Sequence, residues 1–184
     1  MPMPLIAHED CLLVCVDAQP GFYPDDLPDR PAALEALERA AWLARLARVL
    51  EVPVVATEEE PERNGATSIE LAPGTPVLTK PTFGLAGTPE ILQAVRDTAR
   101  GTAVLVGFET DVCVYQSAVG LLDAGLRVIA AEDATFSPGE MHARGLARLR
   151  DAGVTLTHCK ALAYEWVRTV EGMAVLPRPA PFRL

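Results

Sequence analysis

Short apolar segments alternate with amphipathic segments along this chain. Apolar or β-branched runs of strand length occupy six places, at 11–16, 52–56, 76–79, 103–107, 127–131 and 154–157. Most of them are followed by a segment whose apolar residues recur at helical spacing, at 31–50, 88–100, 112–124, 140–152 and 160–171. The pattern therefore predicts six strands that alternate with helices.

The first predicted helix carries apolar residues on one face and charged residues on the other. The apolar set stands opposite the charged set: Leu34, Leu37, Ala41 and Leu46 against Glu35, Glu38 and Arg45. Further along the chain, Gly125 and Gly153 stand where helices should end, just before the fifth and sixth strands.

The strands themselves are nearly continuous apolar runs, which is typical of a parallel sheet covered on both faces. Right-handed crossovers then favour a doubly wound α/β fold in three layers, α/β/α, with six mostly parallel strands. The sequence contains neither an internal repeat nor a low-complexity linker. We therefore predict a single domain over residues 1–184.

The composition argues against several classes of partner. The 184 residues carry a net charge of −9, and nucleic acids and anionic membranes would repel such a chain. No apolar run has the length of a membrane span. The first ten residues lack the basic region of a secretory signal, and four irregularly spaced cysteines fit reduced thiols. We expect a cytoplasmic protein that acts on a small molecule.

Chemically useful side chains stand directly after three of the predicted strands. Asp17 follows the first strand, Lys80 the third, and Cys113 the fourth after a five-residue turn. Ligand sites of doubly wound sheets lie beyond the carboxyl ends of the strands, where the strand order reverses. With the common order 3-2-1-4-5-6, Asp17 and Cys113 would meet in that crevice and Lys80 would reach in from the third strand.

These three side chains are chemically compatible. A thiol is nucleophilic as the thiolate, and a helix N-terminus lowers the thiol pKa. We expect Thr110 or Asp111 to cap the helix after the fourth strand, which would place Cys113 in its first turn. Lys80 supplies a cation, Asp17 a base, and backbone N–H groups an oxyanion hole. Taken alone, each residue also has a structural explanation: a packed cysteine, a loop-capping aspartate and a surface lysine.

Three segments resemble the signature motifs of the isochorismatase-like cysteine hydrolases. They are DAQPGF with Asp17, LTKPTFGLAGTPEI with Lys80 and GFETDVCV with Cys113, in this order and at family-like spacing. The resemblance covers nearly the whole chain and implies a six-stranded parallel sheet in three layers. It also implies that Cys113 is the nucleophile, Asp17 the general base and Lys80 the residue that stabilises the thiolate.

The resemblance extends to the surroundings of the thiol. Members tend to carry a cis peptide bond five residues before the cysteine, here Phe108–Glu109, which would aim the N–H groups of Glu109 and Cys113 at the oxyanion. Phe22 and Phe83 stand a few positions after site residues, so we expect them to line the substrate pocket, with loop packing as the alternative. Members are often dimers or tetramers, and we expect a homo-oligomer here.

Departures from individual relatives narrow the predicted reaction. Isochorismatases proper lack the nucleophilic cysteine, so Cys113 favours hydrolysis of a C–N bond. Nicotinamidases bind a metal with histidines after the second strand, whereas VVATEEEPERNGATSIEL contains no histidine and looks closer to uncharacterised isochorismatase-domain hydrolases. The histidines at 8, 142 and 158 lack ligand spacing, so we expect no metal. Without a glycine-rich phosphate loop we expect no nucleotide cofactor. The three adjacent glutamates should form a solvated loop.

Three functional hypotheses follow. The first is a metal-independent cysteine hydrolase that cleaves a small amide-like C–N bond through a thioester. The second is a Mg²⁺-dependent phosphatase with Asp17 as the nucleophile and Lys80 on the phosphate. That chemistry needs a second aspartate two positions later, where the chain has Gln19. The third is a protein of the same fold that binds a small molecule without turnover.

Overall fold

The computed structural model describes residues 5–176 of the chain. The strands are β1 (Cys11–Val16), β2 (Val54–Glu59), β3 (Val77–Lys80), β4 (Thr102–Phe108), β5 (Arg127–Phe136) and β6 (Thr155–Thr157). The helices are α1 (Arg30–Val49), α2 (Pro61–Asn64), α3 (Pro89–Asp97), α4 (Tyr115–Asp123), α5 (Met141–Asp151), α6 (Cys159–Val167) and α7 (Val170–Val175). A π-helical turn, Thr110–Val114, joins β4 to α4 and is called the cysteine turn below.

The six strands form one sheet in the order β3-β2-β1-β4-β5-β6, and every neighbouring pair is parallel. The predicted fold and strand order are therefore confirmed. The strand order reverses at β1, which pairs with β2 on one side and β4 on the other. Val16 lies opposite Thr57 on β2 and Gly107 on β4, so the carboxyl ends of the three strands are level.

The sheet is buried on both faces because its strands alternate between two apolar clusters. On β1, Leu13 and Cys15 pack in the cluster that includes α1 and α6, while Leu12, Val14 and Val16 pack in the cluster that includes α3, α4 and α5. All six residues of β1 are buried. This explains why the strand reads as a continuous apolar run rather than an alternating one.

The predicted apolar face of α1 is confirmed in part, since Leu46 is buried and Leu37 and Ala41 pack partly buried against the core. Its buried positions are mostly alanines, and the full set is Ala33, Ala36, Ala40, Trp42, Leu43, Ala44, Leu46 and Ala47. Leu34, which we expected on this face, is 38% exposed. Small side chains allow a helix to lie close to the strands it covers, so the alanine stripe is the packing face and larger residues flank it.

Two segments extend or divide differently from the predictions. β2 continues through Glu58 and Glu59, which we had expected in a solvated loop, because their backbones pair with Thr79 and Lys80 of β3. The last predicted helix is instead split into α6 and α7 at Arg168, whose φ of 62° is incompatible with a continuous right-handed helix.

No helix among residues 5–176 is both long enough and apolar enough to cross a membrane. The prediction of a single domain over 1–184 includes terminal residues that lie outside the described part of the chain, and it stays a prediction.

Candidate active site

Asp17 follows β1 directly and lies in an unusual backbone conformation. Its φ of 44° is in the left-handed region, which non-glycine residues seldom adopt. Two backbone hydrogen bonds hold this turn: Asp17 N–H donates to the Thr57 carbonyl at 3.1 Å, and Gln19 N–H donates to the Asp17 carbonyl at 2.7 Å. The side chain is fully buried. The carboxyl group of Asp17 therefore lies in a site closed to water.

Lys80 ends β3 and forms an ion pair with Asp17 inside the protein. The Nζ atom lies 2.6 Å from Asp17 Oδ2, and neither side chain is exposed to solvent. Nζ also donates to the Thr82 carbonyl at 2.9 Å. The other carboxylate oxygen of Asp17, Oδ1, accepts a hydrogen bond from the Thr57 hydroxyl at 2.8 Å. The interior charge of Lys80 is thus compensated by one carboxylate and one carbonyl.

Cys113 lies in the cysteine turn and its thiol hydrogen-bonds to the Asp17 carboxylate. Its residual exposure is 2%. Burial, followed by the charge of Asp17, raises the pKa of this thiol to about 12, and the Lys80 cation opposes the shift. Burial also raises the pKa of Asp17, against the charge and hydrogen bonds of Lys80. The structure thus brings the three predicted residues together in one buried cluster.

The raised thiol pKa corrects the expectation that the helix N-terminus would lower it. α4 begins only at Tyr115, after the cysteine turn, and no side chain caps it. The expected caps have other partners: the Thr110 hydroxyl pairs with His142 Nδ1 at 2.9 Å, and Asp111 Oδ1 accepts from the Ser137 hydroxyl at 2.6 Å. Burial beside a carboxylate therefore dominates the electrostatics of the resting thiol.

Two glycines allow the close approaches that position the cysteine turn. Gly107 on β4 has a φ of 113°, and a Cβ there would lie 1.9 Å from the Val16 carbonyl oxygen. Gly145 on α5 faces the turn, where a Cβ would lie 2.8 Å from the Asp111 nitrogen. A Cβ at Gly107 would push β4 away from the end of β1, and a Cβ at Gly145 would push the cysteine turn away from α5.

Glu109 lies between β4 and the cysteine turn. The peptide bond Phe108–Glu109 is cis, at the position implied by the family resemblance. The Glu109 carbonyl accepts from Val112 N–H at 3.2 Å and Val114 N–H at 3.0 Å, which closes the turn. Burial, then the charges of Asp111 and Glu59, raises the pKa of the Glu109 carboxyl. The oxyanion role of the Glu109 and Cys113 N–H groups stays a prediction.

Gln19 fastens the loop after β2 to the end of β1. Its Nε2 donates to the carbonyls of Glu59 at 3.1 Å and Gly65 at 2.6 Å, and its Oε1 accepts from Glu59 N–H at 2.7 Å. The side chain is fully buried. Because both polar atoms of this amide are engaged with backbone groups, Gln19 is a structural clamp of the site.

The two predicted pocket residues occupy different environments. Phe22 is partly buried against the aromatic cluster that contains Tyr23, Phe108 and Phe136. Phe83 lies in the loop after β3 and is 52% exposed. Phe22 is thus close to the start of the cysteine turn through Phe108, whereas Phe83 presents its ring to solvent in the single chain. Their role in lining the pocket stays a prediction.

Thr57 is the site residue that sequence reasoning missed. The predicted second strand ends at residue 56, so Thr57 falls just outside it and belongs to none of the recognised motifs. The available signal was position: Thr57 is the polar residue that closes an apolar run, on the strand next to β1, level with Asp17.

A metal site does not emerge from the described residues. Among residues 5–176, no group of three or more His, Cys, Asp or Glu side chains is arranged to hold a metal ion. His8, His142 and His158 lie on separate elements, with Trp166, Thr110 and Glu132 as their respective neighbours.

The fold and the site together define a doubly wound α/β protein with a buried Asp–Lys–Cys cluster at its switch point. A family model described as the isochorismatase domain matches residues 11–160. The chain therefore belongs to the isochorismatase family of hydrolases, as its motifs predicted. Isochorismatase domain-containing protein 2 from Rattus norvegicus is 34% identical over 156 residues, which cover 80% of this chain and 73% of the relative.

Solved structures with the same fold include two bacterial proteins called YcaC. The Escherichia coli protein is described as an octameric hydrolase of unknown specificity. It has a TM-score of 0.83 at 24% identity, and the match covers 95% of this chain and 89% of the E. coli chain. The Pseudomonas aeruginosa protein, with hexane-2,5-diol and covalent acrylamide, has a TM-score of 0.82 at 24% identity and covers 94% and 89%. At this identity the likeness establishes the fold alone.

Proposed function

We propose that this protein is a cysteine hydrolase that cleaves a small amide-like C–N bond through a thioester intermediate. The observation that carries the proposal is the buried contact of the Cys113 thiol with an Asp17–Lys80 ion pair. A buried ion pair is expensive to maintain, and its stabilising value is weak. Its placement against a thiol at the switch point favours a chemical role.

In the acylation step, Asp17 accepts the thiol proton as Cys113 Sγ attacks the substrate carbonyl carbon. The Lys80 ammonium stabilises the negative charge as it moves from carboxylate to sulfur. Backbone N–H groups of Glu109 and Cys113 bind the developing oxyanion. The C–N bond then breaks, and the leaving amine takes the proton from Asp17.

Hydrolysis of the thioester uses the same base. Asp17 removes a proton from water as the water oxygen attacks the thioester carbonyl, and the C–S bond breaks. The sulfur recovers a proton from Asp17, which restores the resting site and releases a carboxylic acid. Because burial raises the pKa of Asp17, its basicity is closer to that of the thiol than an exposed aspartate would be.

The remaining predictions belong to the same proposal. We place Phe22 and Phe83 at the substrate pocket, expect neither metal nor organic cofactor, and assign the protein to the cytoplasm as a single-domain homo-oligomer. Oligomer formation is supported by the octameric E. coli YcaC and by the exposed ring of Phe83. The covalent acrylamide in P. aeruginosa YcaC supports a reactive nucleophile on this fold.

The Mg²⁺-dependent phosphatase is not favoured. Asp17 is engaged by Lys80 and Thr57, and the position two residues later is the structural clamp Gln19. The non-catalytic alternative is decided by the reactivity of the thiol, as follows.

The test is the alkylation rate of each cysteine by iodoacetamide as a function of pH, followed by peptide mass spectrometry. We expect Cys113 to react faster than Cys11, Cys15 and Cys159, although all four are buried. The rate should fall at acid pH as Asp17 becomes protonated. Asp17→Asn should lower the Cys113 rate about a hundredfold, the typical contribution of a general base.

Asp10→Asn is the matched control, because Asp10 accepts hydrogen bonds from Gly101 and Thr102 away from the thiol. It should leave the Cys113 rate unchanged. Equal rates for all four cysteines, independent of Asp17, would mean that Cys113 is structural and that the protein does not use it as a nucleophile. Hydrolysis of phosphate monoesters that requires Mg²⁺ and survives alkylation of Cys113 would instead establish the phosphatase.

A further inference from the structure

Thr57 contacts Asp17 at two points. Its hydroxyl donates to Asp17 Oδ1 at 2.8 Å, and its carbonyl accepts from Asp17 N–H at 3.1 Å. Both residues have no exposure to solvent. Water therefore has no access with which to replace the hydroxyl hydrogen bond if the side chain of Thr57 is changed.

The hydroxyl bond gives the two carboxylate oxygens of Asp17 different partners. Oδ1 is bound by Thr57, and Oδ2 lies 2.6 Å from Lys80 Nζ. Thr57 belongs to a central strand and its β-branched side chain is stiff about χ1. A donor fixed in this way prevents the carboxyl plane from rotating, so the thiol of Cys113 meets it in one orientation.

The backbone bond acts on the strained conformation of Asp17. A φ of 44° is unfavourable for an aspartate and persists only when the surrounding structure imposes it. The Thr57 carbonyl provides part of that restraint because Val16 and Thr57 are in register on neighbouring strands. Thr57 thus restrains Asp17 both through its backbone carbonyl and through its hydroxyl.

We propose that Thr57 is a positioning residue for the general base, which fixes the orientation of the Asp17 carboxylate and favours its ionised form. The proposal rests on the function proposed above. Thr57 donates to the charged form of the base, and a hydrogen bond to the charged form lowers the pKa of an acid. Loss of the hydroxyl should therefore require a higher pH before Asp17 can accept the thiol proton.

The other charged and titratable groups around this base stay constant in the test. Lys80 contacts Asp17 from β3 and Cys113 from the cysteine turn. The carboxylates of Glu59 on β2 and Glu109 after β4 act on the same surroundings, since the charge of Glu59 raises the pKa of both Cys113 and Glu109. A substitution at Thr57 removes a neutral hydroxyl and changes none of these charges.

The experiment compares the pH profile of Cys113 alkylation by iodoacetamide in the wild type, Thr57→Val and Thr57→Ser. Thr57→Val keeps the shape of the side chain and removes the donor. The acidic limb of its profile, where the alkylation rate falls as the pH is lowered, should move to higher pH by about one to two units. This is the shift expected for loss of a hydrogen bond to a charged group. Thr57→Ser keeps the donor and should retain the wild-type limb.

Thr102→Val is the matched control. Thr102 is also a buried strand threonine whose hydroxyl donates to an aspartate, Asp10 Oδ2, at 2.6 Å. The change should leave the Cys113 profile in place. Thermal unfolding of every variant identifies misfolded protein, and Thr57→Ala provides a second donor-free variant should Thr57→Val fail to fold.

The outcomes separate the two proposals. In one outcome, the alkylation rate of Cys113 depends on Asp17 while folded Thr57→Val and Thr57→Ala show the same acidic limb as the wild type. That result would overturn the role of Thr57 and leave the hydrolase proposal intact. A wild-type rate without any dependence on Asp17 would overturn both. An upward shift in Thr57→Ser equal to that in Thr57→Val would also reject the role of the hydroxyl.

Discussion

Asp17 and Lys80 carry opposite charges in an interior closed to water. Desolvation of two ions costs several kcal/mol, and their attraction offsets this only in part. Compared with apolar residues packed at the same positions, the buried pair therefore reduces stability.

We predict opposite effects of single and double substitutions at this pair. Asp17→Asn alone leaves the buried Lys80 charge without a counter-ion and should lower the free energy of unfolding by about 3–5 kcal/mol. Asparagine tolerates the left-handed φ at this position, so the loss would be electrostatic. The double variant Asp17→Asn/Lys80→Met should regain wild-type stability or exceed it by about 1–4 kcal/mol. Its Cys113 should no longer react faster with iodoacetamide than the other cysteines.

Urea unfolding at pH 7 gives the free energy of unfolding of the wild type, of Asp17→Asn, of Lys80→Met and of the double variant. Two single losses that simply add in the double variant would show that charge compensation is not what links Asp17 and Lys80.

The thiol shows which electrostatic effect dominates at the scale of one residue. A helix terminus contributes about 0.3–1 kcal/mol, less than one pKa unit. Burial beside Asp17 raises the pKa of Cys113 from 9.0 to about 12. The location near the start of α4 therefore does not determine the state of the resting thiol. Its activation depends on the proton acceptor.

At the scale of elements, the site depends on how closely β4 and the cysteine turn approach the end of β1. Gly107 permits this approach, since any Cβ there would overlap the Val16 carbonyl oxygen at 1.9 Å. From the other side, Arg148 of α5 donates to the Asp111 carbonyl at 3.2 Å and stacks on Tyr115, 3.7 Å from the ring centroid. The cysteine turn is thus held between β4 and α5, and β4 lies against β1.

We predict that Gly107→Ala disrupts this arrangement far more than an alanine at another left-handed glycine. The steric overlap with β1 should lower the free energy of unfolding by more than about 3 kcal/mol, beyond the effects of ordinary overpacking. Gly125→Ala is the control, because Gly125 has a φ of 88° but nothing within 4 Å of the added Cβ.

The control should lose only about 1–2 kcal/mol, the cost of the backbone conformation. Denaturant unfolding of both variants gives the comparison. Equal losses would mean that the conformation of Gly107, rather than its contact with β1, is what requires glycine.

At the scale of the whole molecule, the chain exposes several large apolar side chains together with a net charge of −9. Val170 is 90% exposed, Leu5 63% and Phe83 52%. Scattered apolar residues are ordinary on monomers, but Phe83 lies in the loop that follows the site residue Lys80. An interface at that loop would cover the approach to the site from the β3 side.

We predict that the protein is a homo-oligomer in solution. Light scattering coupled to gel filtration should give a mass that is a multiple of 19.7 kDa, corresponding to a dimer or tetramer. Phe83→Ser should shift the distribution toward smaller species if this ring is at the interface, with the exposed Val170→Ser as the control. A mass of one chain for the wild type over the micromolar range would contradict the prediction.

The sequence by itself determined the fold of this protein and the identity of the three residues that meet at its candidate site. Apolar runs that alternate with amphipathic segments are local signals, and parallel topology follows from them because both faces of each strand must be buried. Asp17, Lys80 and Cys113 stood at strand ends, and a doubly wound sheet gathers strand ends at one edge. Their proximity therefore followed from the topology, without knowledge of any side-chain contact.

Only the tertiary structure decided the electrostatic state of the site and the supporting residues. The pKa of Cys113 depends on burial and on its contact with Asp17, and neither quantity is encoded locally. Thr57 and Gln19 act through hydrogen bonds to residues about 40 positions away. The alanine face of α1 and the extension of β2 were also set by their neighbours. Spacing along the chain reports which residues share an element, whereas desolvation and hydrogen bonding depend on which elements meet.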